Sequence, residues 1–452
     1  MKKISEFDNQ GCYSYSKIWA VTIPILLSML MEHIIGLTDT AFLGRVSEVA
    51  LGASALGSVY CLAFFVLGFG FSFGAQILIA RRNGEKNFSK IGQIWYASLF
   101  FLILLALGLI VAIRYFSPQM LSLMVKSSNI CDATVQYLDY RAYGLLFAFI
   151  MAIFRAFYVG IAQTKILTYS SIVMVLSNII LNYALIFGKF GLPEMGIAGA
   201  ALASSIAEGI AMLYYIGYTL KAIDLKKYGF YSFSAFFKLN ILKKVFTVSF
   251  WMMLQPFLSI SVWFFFFLAV EHLGERSLAV VNLARTLSSV PFLVTHACAT
   301  TASSLVSNLI GEGKINLTFR LVRKITISGI CTVTPMLLFI AIFPELVLKI
   351  YTNNSELIAD SINVIYVMCV ASFIQIPAFI LFNVVSGTGA VKMTVFIESV
   401  TLAIYTFFVY LIIIRMQSTP AISWTVEIIY QATSIFLCLL YLKFGNWRQK
   451  RI

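Results

Sequence analysis

Long apolar runs, broken by short polar stretches, dominate this chain. Twelve of them reach spanning length, at about 18–38, 51–79, 92–115, 133–159, 166–188, 196–220, 246–270, 278–309, 323–343, 357–385, 393–414 and 421–442. Several exceed the roughly 20 residues that cross a bilayer, so they tilt or project beyond it. Phe, Tyr, Gly and Pro recur inside them, as lipid-embedded helices allow. The pattern predicts an all-α integral membrane protein with twelve transmembrane helices.

Composition excludes a soluble alternative. The 452 residues are 60% hydrophobic and 12% charged, with a mean hydropathy of +0.91, against about 25% charged in ordinary soluble domains. The net charge of +14 raises the question of nucleic acid. The basic residues sit instead in alternate loops: Arg81, Arg82, Lys86 and Lys90; Lys221, Lys226, Lys227, Lys238, Lys243 and Lys244; Lys314, Arg320, Arg323 and Lys324; and the tail Lys443, Arg448, Lys450 and Arg451. The other loops hold Arg45, Arg114 with Lys126, Lys189, Arg276, Lys349 and Arg415. This asymmetry predicts both termini in the cytoplasm and leaves no nucleic-acid surface. Lys2 and Lys3 precede Glu6 and Asp8, and no small-residue cleavage site follows, so the first helix is expected to be retained. The seven cysteines stand singly and the three histidines lack ligand spacing, which indicates neither disulfides nor zinc.

The halves repeat. Gly84-Glu85 returns 227 residues later as Gly311-Glu312, and Gly160 and Lys165 of VGIAQTK return as Gly387 and Lys392 of VSGTGAVK. With both basic loops inside, this is a parallel repeat related by an axis along the membrane normal. The expected domains are a six-helix bundle at 1–221, a basic and aromatic linker at 222–245, and a second six-helix bundle at 246–452. The linker mixes Lys with Tyr228, Phe230, Tyr231, Phe233, Phe236 and Phe237, which suits a tether lying among lipid headgroups.

Acids inside apolar helices are costly and mark function. Glu32 and Asp39 lie in the run from Pro24 to Gly44, seven residues apart and on one helix face. The alternative is that Asp39 marks the membrane edge, since Thr38, Asp39 and Arg45 open a polar stretch. Asn178 and Asn182 share a face of the fifth segment, and Glu208 lies in the sixth. At the offset of 227 these map to Ser259, Phe266, Tyr405, Val409 and Ile435, so the polar set is not duplicated. That asymmetry predicts an ion or proton site in the first half, although amides also serve as interhelical glue. In the second half, Gln255 and Gln375 are candidates for substrate contact. Glu398 is expected to pair with Lys392, and Glu427 has no evident partner.

The stretches IPILLSMLMEHIIGLTDTAFLGRVSEVALGASAL, FGAQILIARRNGEKN, SSLVSNLIGEGK and NIILNYALIFGKFGLPEMGIAGAALAS occur in that order. Together they resemble the multidrug and toxic compound extrusion (MATE) family over essentially the whole chain. The resemblance implies a secondary antiporter of the bacterial cytoplasmic (inner) membrane, monomeric, exporting organic and mostly cationic compounds against inward H+ or Na+. It implies no cofactor beyond that ion and no enzymatic activity. The family's helix-one acid matches Asp39, its helix-five pair Asn178 and Asn182, and a helix-six hydroxyl Ser204. A sodium ion would sit at Asp39, Asn178 and Asn182. Some branches carry an acid where Asn182 stands, which leaves less negative charge here. Others carry acids on helices seven and ten, where this chain offers Gln255 or Ser259, and Gln375. Glu32, Glu208, Gln255, Ser259 and Gln375 are the expected substrate-cavity residues.

The nearest rival is a flippase for lipid-linked saccharides of the same superfamily, which needs intramembrane cations for a diphosphate; Arg141, Arg155 and Arg285 are the candidates. An intramembrane enzyme would need a His–Asp, Ser–His or paired-Asp arrangement. His33 beside Glu32 does not supply one, because adjacent helical residues diverge by about 100°. A channel fits a duplicated scaffold with one-sided acids less well than alternating access does.

Overall fold

The computed structural model describes residue 8 and residues 11–125, 127–231 and 239–449. Lys2, Lys3, Lys126, Lys450, Arg451 and linker residues 232–238 lie outside the described residues. Twelve helices are long and apolar enough to cross a membrane. In chain order they are α1 (Tyr15–Leu43), α2 (Glu48–Gly84), α3 (Ser89–Met124), α4 (Ser128–Gly160), α5 (Lys165–Ile186), α6 (Gly196–Ala222), α7 (Leu239–Glu271), α8 (Glu275–Gly311), α9 (Thr318–Ile342), α11 (Ser355–Gly387), α12 (Val391–Val409) and α13 (Pro420–Phe444). The short helix α10 (Pro344–Leu348) follows α9, and a π-helical run, Tyr410–Arg415, prolongs α12. Each apolar run of the sequence is one helix, because lipid offers no partner for a free N–H or C=O. Polar caps close the ends: Ser47 accepts from the Ala50 N–H at 3.0 Å, and Asn354 accepts from the Glu356 and Leu357 N–H groups at 3.1 Å.

The repeat is visible in the helix bounds. α2 and α8 each have 37 residues, and α4 and α11 each have 33. Their first and last residues stand 227 apart: Glu48 and Glu275, Gly84 and Gly311, Ser128 and Ser355, Gly160 and Gly387. The last helix pair breaks the offset. α6 starts at Gly196 and α13 at Pro420, a difference of 224, because the connection ahead of α13 is shorter. The expected match of Glu208 to Ile435 therefore shifts by about one helical turn.

Two compact units form, one from residues 23–253 and the other from residues 1–22 with 254–452. The divisions fall inside helices rather than at the linker. α1 changes unit after Thr22, two residues before Pro24, and α7 changes unit after Met253, three residues before Pro256. A helical proline removes a backbone bond and pushes off the preceding turn, so each helix is divided where its own ladder is weakest.

Side chains explain why the N-terminal segment joins the second unit. Asp8 pairs with Lys324 at 2.7 Å and Arg320 at 2.9 Å, Tyr13 donates to Glu312 at 2.6 Å, and Thr22 donates to Thr301 at 3.0 Å. In the first unit, the start of the linker is docked on protein rather than laid among headgroups. Tyr228 and Phe230 are buried against Phe88, Trp95 and Phe157. The Gly92 N–H donates to the Tyr228 carbonyl at 2.9 Å, and Tyr96 donates to the Phe230 carbonyl at 2.8 Å. The approach needs glycine on both sides: a Cβ at Gly92 would lie 2.6 Å from the Tyr228 carbonyl oxygen, and Gly229 has φ +72°. Only Tyr231 of the visible aromatics is largely exposed.

Candidate functional site

Three helices of the first unit bring one carboxylate, two amides and a hydroxyl together. Asp39 comes from the last turns of α1, Asn178 and Asn182 from successive turns of α5, and Ser204 from α6. Asn182 Nδ2 donates to Asp39 Oδ1 at 2.6 Å and to Asn178 Oδ1 at 3.1 Å. Asn178 Nδ2 donates to Ser204 Oγ at 3.1 Å, and Ser204 Oγ donates to Asp39 Oδ2 at 3.2 Å. The four side chains thus close a ring in which both carboxylate oxygens accept. Both asparagines are fully buried, whereas Asp39 is partly exposed. One buried atom of the ring, Asn182 Oδ1, has no hydrogen-bond partner.

A cavity of about 230 Å³ opens beside the carboxylate, lined by Gly36, Asp39, Ser54, Ser58, Tyr137 and Ala200 among others. Drug-sized pockets run from roughly 300 to 1,000 Å³. This one is of a size for water and a small ion at Asp39, not for a whole organic substrate.

The other two acids of this unit are neutralised. Arg141 of α4 grips Glu208 with two parallel bonds of 2.9 and 2.6 Å, its guanidinium stacked 4.7 Å from the Phe65 ring centroid. Gly144 makes room for the pair, since a Cβ there would lie 2.0 Å from the arginine and 2.6 Å from the glutamate. Arg155, also on α4, pairs with Glu32 at 2.7 Å. Glu32 and Glu208, expected as free cavity acids, therefore carry no uncompensated charge. The arginines are fourteen residues apart and share one face of α4. That spacing was a readable signal in the sequence; which acids they meet was not.

In the second unit, Gln255 and Ser259 do meet, but around a carboxylate. Gln255 Nε2 donates to Ser259 Oγ at 3.3 Å, and Ser259 Oγ donates to Glu398 Oε1. Tyr430 donates to the same oxygen at 3.0 Å. Glu398 is 2% exposed and does not pair with Lys392. It faces inward across α7 and α13, not toward the helix end where Lys392 lies. Glu427 accepts from Tyr405 at 2.9 Å and from the Trp263 side chain. Gln375, on α11, is half-buried and joins neither network. Arg285 is bonded to Asn282 at 3.0 Å and lies over the Trp263 and Phe267 rings. The tyrosine hydroxyls are the participants that hydrophobic patterning hides, because a tyrosine in an apolar helix reads as an apolar ring.

A family model, MatE, matches residues 24–184 and 249–412. A probable multidrug resistance protein NorM from Photorhabdus laumondii is 28% identical over 354 residues, 78% of this chain and 77% of that one. Among solved structures, the outward-facing conformation of a multidrug resistance MATE family transporter superposes with a TM-score of 0.85 at 17% identity, covering 96% of this chain and 95% of that one. A Pyrococcus furiosus transporter of the MOP superfamily, described as having a binding pocket of reverse polarity, superposes with a TM-score of 0.83 at 17% identity, covering 96% and 97%.

Proposed function

The chain belongs to the MatE family, and from that membership we propose that it exports small organic compounds in exchange for inward protons, with Asp39 as the coupling carboxylate. Members of this family are multi-pass membrane transporters, not enzymes. The observation that carries the coupling role is the closed ring of Asp39, Asn178, Asn182 and Ser204 beside a small cavity.

The ring distinguishes two states of one acid. Charged Asp39 accepts from an amide and a hydroxyl. Neutral Asp39 carries an O–H that needs an acceptor, and Asn182 Oδ1 is a buried acceptor without a partner. Turning the Asn182 amide about its last bond presents that oxygen to Asp39 and withdraws its N–H from Asn178. Loading a proton therefore rewires the contact of α5 with α1 and α6. A ligand that favours one wiring shifts the population of that state, which is what exchange requires. A cation could also seat between Asp39 and the turned amide. With Asn182 neutral, the ring supplies a single negative charge, and this favours the proton over sodium.

Cargo is argued from charge. With Glu32 and Glu208 paired to arginines, Asp39 is the ring's only formal charge, and it favours a cationic, amphipathic substrate when ionised. The lipid-linked saccharide alternative needs free cations for a diphosphate. Arg141 and Arg155 are engaged by carboxylates, which favours export. The reverse-polarity relative has the same fold, so the fold alone does not choose the sign of the cargo. The Lys/Arg asymmetry supports cytoplasmic termini in a bacterial inner membrane.

Export is tested in inside-out vesicles carrying a proton gradient and then a sodium gradient. Fluorescent cation uptake driven by the proton gradient alone is the expected result. Uptake driven by sodium alone would reassign the ion, and transport of anions only would remove the charge argument. Cysteine labelling of the 222–245 linker from outside intact cells would overturn the orientation.

A further inference from the structure

The two units place comparable polar contacts at repeat-related positions, with the carboxylates moved to different helices. In the first unit Ser28 of α1 bonds Ser171 of α5 at 2.7 Å and lies 3.4 Å from Glu32. At 227 residues on stand Gln255, Glu398 and Ser259, which again bond one another. The acid has moved from the first helix of the repeat to the fifth. Likewise the Asn178–Ser204 bond has its counterpart in Tyr405–Glu427, with the shift to 223 in the last helix that the shorter connection imposes. Phe266 stands at the place of Asp39 and packs on Tyr405.

The arginines have not moved with the acids. The positions 227 residues after Arg141 and Arg155 are Met368 and Phe382, both buried. Among the described residues, no ion pair includes Glu398 or Glu427. Glu398 is enclosed with two hydroxyl donors and an amide as its partners. A carboxylate so enclosed has no fixed countercharge, and the proton is the smallest mobile one.

We infer that Glu398 is a second proton-binding group of this transporter, taking up and releasing a proton at the place where the first unit holds the fixed Glu32–Arg155 pair. The step is the protonation of one carboxylate, with no redox change and no other reactant. Ser259 and Gln255 face it from α7. Tyr430 faces it from α13, with Cys438 and, beyond Tyr430, Glu427 as the other titratable groups there. Tyr405 on its own helix stacks edge-on to Tyr430 at 5.7 Å, joining the two glutamates through ring contacts. Arg285 lies outside this set, over Trp263.

The inference rests on the antiport reading for its role in transport, but its proton can be observed without transport. The purified full-length protein in lipid is examined by infrared difference spectroscopy on acidification. Glu398→Gln is expected to delete one carboxylic-acid carbonyl band, distinct from the band deleted by Asp39→Asn, and to lower proton uptake by about one per molecule. Tyr430→Phe and Ser259→Ala, which keep the acid and remove its donors, are expected to move that band in frequency. An unchanged spectrum in Glu398→Gln, or in both donor variants should Glu398→Gln not fold, would overturn the inference. In proteoliposomes Glu398→Gln is expected to lower the number of protons exchanged per substrate; the wild-type ratio would also overturn it. Absence of gradient-driven export by the wild type, with the band present, would sink the antiport reading and leave the proton site standing.

Discussion

The two units solve the same problem, acids inside apolar helices, in opposite ways. The first neutralises Glu32 and Glu208 with arginines from α4 and leaves Asp39 to amides and a hydroxyl. The second has buried apolar residues at the arginine positions and surrounds Glu398 and Glu427 with hydroxyls, an amide and an indole. A fixed ion pair holds two helices but cannot trade its charge; a carboxylate held by neutral donors can. The difference suggests that the arginine pairs stiffen the first unit around its one exchangeable acid. The second unit has exchangeable acids and no such brace.

The comparison can be broken first at Asp39. Asp39→Asn keeps the shape and removes the titration, and is expected to lower gradient-driven export by more than about tenfold while the protein still reaches the membrane. Dye uptake in vesicles, normalised to protein amount, measures this. Wild-type rates would show that the coupling group lies elsewhere.

The arginine braces come next, as an effect on stability. Arg141→Gln leaves Glu208 buried with half a partner, which is expected to cost about 3–5 kcal/mol. Arg141→Leu with Glu208→Leu removes both charges and should recover most of that loss, as read by unfolding in mixed micelles. If the double variant is as unstable as the single one, the pair is not the brace described. Gly144→Ala, which drives a methyl group into the same pair, should resemble the single variant.

A smaller effect sharpens the contrast from the other side. Glu427→Gln keeps the acceptor for Tyr405 and is expected to lower export about two- to fivefold without loss of folding, a modest coupling change. Initial rates across a range of imposed gradients would detect it. A loss as deep as that of Asp39→Asn would make the second unit the principal engine.

The smallest expected change is at the mirror of Asp39. Phe266→Leu stays apolar and is expected to keep the ratio of protons to substrate, with a stability loss of about 1–2 kcal/mol from the buried ring. A changed ratio would mean that the ring layer of Phe266, Tyr405 and Tyr430 transmits coupling rather than filling space.

Much of this molecule could be read from its residues in order. In lipid the backbone must satisfy itself locally, so runs of apolar residues become helices wherever they occur, and twelve runs became twelve spanning helices. The repeat was legible because Gly-Glu and Gly-to-Lys landmarks sit at helix ends, where lengths are set locally. The ring of Asp39, Asn178, Asn182 and Ser204 was anticipated because polar atoms inside apolar runs are costly enough to stand out.

What the tertiary structure decided was which charges meet. Arg141 and Glu208 are 67 residues apart in the chain, and Arg155 and Glu32 are 123 apart. Their pairing depends on how α4 is rotated against α6 and α1, which packing over whole helix faces sets. The inward turn of Glu398 toward Ser259, the slip of α13 against its repeat, the docking of Tyr228 and Phe230, and the change of unit within α1 and α7 are decisions of the same kind. Each depends on contacts distant in sequence, whereas helix formation and membrane crossing depend on each segment's own hydrophobicity.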